Sequence, residues 1–74
     1  MQNYHSGEEV KLGDVVKWPD DEGEIVALQE DLPKWGLTQA DAAGKAMIKF
    51  KRIGLVCEHT LNAEDLQLIR RGGA

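Results

Sequence analysis

The chain has 74 residues, 42% of them apolar, with 13 acids, 9 bases and one cysteine. That length supports one small core, leaves no apolar run near the ~18 residues of a membrane span, and excludes an internal disulfide. The expectation is a single soluble cytoplasmic domain of marginal stability, for which self-association is a common remedy.

Met1–Gly7 carries neither the basic nor the apolar stretch of a secretion signal, and it is expected to be a flexible arm holding Tyr4 and His5. From Val10 to Trp18 the pattern predicts a first strand, with Val16 and Trp18 on one face and Val15 and Lys17 on the other. Pro19 removes a backbone donor, and Asp20-Asp21-Glu22-Gly23 forms an acidic turn. Glu24–Glu30, rich in β-formers at its centre, is the second strand. Residues 31–44 form a connection too long for a plain hairpin, and long connections in small domains are often functional. Within it, Thr38 is placed to cap a short helical turn over Gln39–Ala43, and Gly44 follows its end.

Lys45–Lys51 shows the clearest alternation in the chain. Ala46, Ile48 and Phe50 share one face, and Lys45, Lys49 and Lys51 the other. Arg52-Ile53-Gly54 is a tight turn into a fourth strand, Leu55–Thr60, with Leu55 and Cys57 expected inward. Asn62 is placed to cap a single turn before a last strand, Gln67–Arg71. Gly72–Ala74 is expected to be a disordered tail.

Five short strands, a Gly-Asp lead into the first, a long second connection and a single turn before the last strand are similar to the SH3-like small β-barrels. The resemblance covers residues 8–71 and implies an all-β, five-stranded barrel as one domain. Within that class, Gly13-Asp14-Val15-Val16, Gly23-Glu24-Ile25-Val26 and the Leu66–Arg71 ending resemble the plasmid-borne type II dihydrofolate reductases. Those proteins assemble into tetramers around one central active-site pore. Their catalytic strand carries a Val-Gln-Ile-Tyr run, whereas this chain has Leu55-Val56-Cys57-Glu58 or Ala46-Met47-Ile48-Lys49 in that place. The resemblance therefore implies a compact, self-assembling scaffold of the mobile-element or integron-cassette kind, without the reductase motif.

Candidate binding residues lie in Leu32, Pro33, Lys34, Trp35 and Leu37. Trp35 either anchors a partner or folds back to plug the barrel end. Lys45, Lys49, Lys51 and Arg52 form a possible basic patch, with Arg70 and Arg71 as possible neighbours. A net charge of −4 and no aromatic on the outward face argue against nucleic acid, so the patch reads as a solvated face. The charge is lopsided, −7 over residues 1–41 and +3 over 42–74, which favours steered or head-to-tail association if the halves form opposite faces. Cys57 and His59 have no further ligand-like neighbours. No phosphate loop, nucleophile elbow or paired-carboxylate spacing is present, so no catalytic residue, metal or cofactor is expected.

Three functions of different kinds fit. They are a non-enzymatic interaction or self-assembly module, an oligomer with a ligand-binding or catalytic pore, and an acidic inhibitor of the immunity or antitoxin type. The first is the reading taken from the sequence, with a protein or a second copy as partner.

Overall fold

The computed structural model describes residues 2–71. Five antiparallel strands form one sheet: β1 (Val15–Lys17), β2 (Glu22–Ala27), β3 (Lys45–Phe50), β4 (Gly54–His59) and β5 (Gln67–Arg70). Their order is β4-β3-β2-β1-β5, so β4 and β5 are the two edges and no ladder joins them among the described residues. The fold is all-β apart from a 3₁₀ turn, Leu32–Trp35, and the short helix α1, Gln39–Ala42.

β1 is shorter than the alternation implies because Lys11–Asp14 closes on itself. The Asp14 carboxylate accepts from the Lys11 amide at 2.9 Å, and Gly13 takes a positive φ of 84° that disfavours any residue with a Cβ. β3 follows its alternation: Ala46, Ile48 and Phe50 are buried in the main core with Val16, Ile25 and Leu66. Phe50 also packs against Trp18, ring centroids 5.7 Å apart. Gly23 sits opposite Phe50 with no room to spare, since a Cβ there would lie 2.7 Å from the Phe50 ring.

A bulge changes which face β2 uses. Ile25 pairs with Ile48 and Ala27 with Met47, so Val26 is an extra residue. Ile25 therefore enters the main core, while Ala27 joins a second cluster with Leu32 and Ala42, against which Leu37, Met47 and Cys57 pack. Met47 and Cys57 alternate with core residues on β3 and β4, which places this cluster on the opposite face of the sheet. The connection 31–44 roofs it. Thr38 caps α1 as expected, its hydroxyl accepting from the Asp41 amide at 3.1 Å, and Gly44 follows with φ 75°.

Two expectations need correction. The three-residue turn 51–53 pairs Lys49 with Leu55 and Ile48 with Val56. Val56 thus points into the main core and Leu55 outward, 55% exposed, while Cys57 is covered by the second cluster rather than the main one. The N-terminal segment is also packed rather than free. Tyr4 is fully buried in the core, and Asn3 bridges to Glu9. A chain this small lacks apolar bulk, and an aromatic from the terminus supplies it. The expected tail, residues 72–74, lies outside the described residues.

Candidate functional site

The connection expected to carry the site divides into an anchor and a display surface. Leu32 is fully buried in the second cluster and Leu37 is half-buried beside it, so neither offers a contact surface. Pro33, Lys34 and Trp35 face outward, and Trp35 is 46% exposed. A plug role for Trp35 is thereby overturned; Tyr4, with Trp18 packed at the margin, brings aromatic bulk to the core from outside the strands.

Backbone geometry holds Trp35 in place. Pro33 sits in the first turn of the 3₁₀ segment, where its lack of an N–H costs nothing. Gly36, at φ 97°, ends the segment by donating to the Leu32 and Pro33 carbonyls, and Leu37 donates back to Leu32 at 3.3 Å. The Asp31 carboxylate accepts from the Leu28 amide at 3.2 Å, fixing the start of the turn. A buried leucine below and a closed turn around it leave little backbone ordering to be done when Trp35 is contacted.

The four basic-patch residues do not form one free surface. Lys51 pairs with Glu22 at 3.1 Å, and Arg52 reaches Asp20 at 3.8 Å and Asp21 at 3.6 Å. Lys49 stands opposite Glu24 across the sheet, and Lys45 is half-buried opposite His59. Arg70 turns to Glu22 at 3.8 Å and Arg71 to Asp14 at 2.8 Å. Acids and bases thus alternate across this face, and the two charged halves of the chain are interleaved in the sheet.

Two shallow depressions accompany these residues. A cleft of about 390 Å³ lies over β1–β3 and β5, lined by Val15, Glu22, Glu24, Lys49, Lys51 and Arg70 with Gly23 and Phe50. A smaller one of about 240 Å³ lies between Trp18-Pro19 and Arg52-Ile53, beside Asp20 and Asp21. Glu22 in the larger cleft is held below the ordinary glutamate value by its hydrogen bond and charge contact with Lys51. Among the described residues no three potential metal ligands come together, Cys57 and His59 included. Burial pushes the Cys57 thiol up, which makes it a poor nucleophile.

Sequence reasoning missed two buried aspartates. Asp14 accepts at one oxygen from the Tyr4 hydroxyl (2.8 Å), the Lys11 amide (2.9 Å) and the Arg71 guanidinium (2.8 Å), tying both chain ends to β1. Burial, reinforced by the Asp14 carboxylate, raises the Tyr4 phenol far above its ordinary value. Asp21, read from the sequence as part of an acidic turn, is only 4% exposed and accepts from the Arg52 and Ile53 amides at 3.0 and 2.9 Å. Desolvation opposes its ionisation, but those amides and the Arg52 charge outweigh it and hold its carboxyl below the usual value. The Lys-x-Gly-Asp spacing was the only local sign of the Asp14 turn; the Asp21 contact spans 31 residues or more and leaves none.

Comparison with protein-family models, with curated proteins and with solved structures finds no match. No helix among the described residues is long and apolar enough to cross a membrane.

Proposed function

We propose that the chain is a non-enzymatic protein-interaction module whose contact surface is centred on Trp35, flanked by Pro33 and Lys34. The observation that carries this reading is the contrast between Leu32, fully buried, and Trp35, 46% exposed on the same closed turn. A large aromatic carried outward on a closed backbone turn is the kind of residue that dominates binding energy at protein interfaces, because the backbone beneath it is already ordered. The SH3-like scaffold and its use in self-assembling proteins belong to the same proposal.

The test is selection of binders to the folded chain from a displayed random-peptide library, followed by measurement of their affinity for Trp35→Ala. The expected result is at least a tenfold loss of affinity with an unchanged melting midpoint. Binders that ignore Trp35, or none at all from a diverse library, contradict the proposal.

A further inference from the structure

Exposed apolar side chains are not spread evenly over this molecule. Of the six large ones among the described residues, three fall on or beside β4: Ile53 (57%), Leu55 (55%) and Leu61 (57%). β4 is an edge strand that pairs only with β3, so its outward amides and carbonyls have no ladder partner among the described residues. It has six residues and an unbroken register, with no proline, lysine or arginine. Proline, lysine, short length and bulges are devices by which natural edges block pairing, and β4 has none of these; its one charged side chain, Glu58, turns back to accept from the His59 amide at 3.1 Å. The β5 edge has several: it is four residues long, bulged opposite Val15/Val16, and ends in Arg70.

We propose that β4 is a self-pairing edge, through which two copies of this chain join β4 to β4 antiparallel across a twofold axis, with Cys57 opposite Cys57 of the second copy. Charge sets the direction. Lys51 and Arg52 precede β4, and Glu64 and Asp65 follow it. Within each copy Lys51 and Arg52 already pair with Glu22, Asp20 and Asp21, so charge acts here through Glu64 and Asp65. Antiparallel pairing keeps the acidic flanks of the two copies apart, whereas parallel pairing sets them side by side.

Symmetry and side-chain alternation set the register. A twofold axis normal to the sheet keeps the outer faces of both copies on one side, and residues directly opposite each other point to the same face. Near the middle of the strand this leaves registers centred on Val56 or on Cys57. The register centred on Cys57 brings Ile53 level with Leu61 of the second copy, matching two exposed apolar residues at each end. The register centred on Val56 sets Leu61 against Lys51 and Ile53 against His59.

The first reading is molar mass by light scattering over a concentration series, expected to rise to twice the 8.2 kDa of one chain. Leu55→Lys and Leu61→Lys, both at exposed positions, are expected to stay at one chain's mass with an unchanged far-ultraviolet spectrum. The second reading is oxidation by diamide, which takes two electrons and two protons from a pair of thiols, leaving a disulfide and a hydrazine. Opposed residues in an antiparallel pair have Cα atoms about 4.5–5.5 Å apart, within disulfide reach, whereas the register centred on Val56 leaves the two cysteines diagonal at about 7–8 Å. Formation of a Cys57-linked dimer, slowed at least tenfold by Leu55→Lys, is expected. Trp35→Ala should dimerise as the parent does, so this result is separable from the reading of Trp35. A single-chain mass at every concentration overturns the proposal, as does a dimer indifferent to Leu55→Lys or one that forms no Cys57 disulfide.

Discussion

The two edges of the sheet are finished in different ways. At β5, a short bulged strand is backed by Tyr4, Asp14 and Arg71, which lock both ends of the chain against β1. At β4, one buried aspartate, Asp21, ties down the turn into the strand, and the outer edge of the strand beyond it has no ladder partner among the described residues. The difference teaches where this small chain places its stabilising polar contacts. They close the side where the termini meet, and they leave the other side with a straight backbone edge and exposed leucine.

Breaking the closed side should have the largest effect. Asp14→Ala leaves a buried phenol, a backbone amide and the Arg71 guanidinium without their common acceptor, and should destabilise the fold by about 3–5 kcal/mol in urea titration. A loss within that of an ordinary surface substitution would mean the network does not hold the termini. On the β4 side, Leu32→Ala empties the cluster that covers Cys57 and Met47, and about 2–4 kcal/mol should be lost.

The closed side also predicts a response to pH. Tyr4, the single tyrosine, is held neutral in the fold, whereas an unfolded tyrosine ionises near pH ~10. Its contribution is complete below that pH and is lost as pH rises above it, because only the unfolded state releases the proton. Phenolate absorbance should therefore appear together with unfolding rather than before it, and Tyr4→Phe should flatten the alkaline limb. The β4 side responds at the other end of the scale. Asp21 has a lowered folded value, so its contribution is complete above pH ~4 and is lost as pH falls further, a limb that Asp21→Asn should flatten. The smallest effect belongs to Trp35→Ala, which should change stability by only about 0.5 kcal/mol, as expected of an outward side chain.

Much of the sheet was legible because its signals are local. The Ala46-Ile48-Phe50 alternation, the Thr38 cap and Gly44 each depend on neighbours in the chain, and each took its expected place. The phase of β4 was not legible. It depends on how many residues the 51–53 turn spends, and a shift of one residue exchanges Leu55 for Val56. The Val26 bulge likewise moves Ala27 to the other face without any mark in the sequence. Within the candidate site, the exposure of Trp35 was not legible, because it depends on Leu32 taking the buried position beneath the turn. Tyr4 was misjudged because position at a terminus says nothing about which side chain a small core lacks.

Amide hydrogen exchange of β4 and β5, followed strand by strand as concentration is raised, tests the contrast between the edges most directly. The account predicts that protection of the β4 amides from Leu55 to His59 grows with concentration while that of β5 stays constant. Exchange at β4 that is independent of concentration, or protection that grows equally at β5, would contradict it.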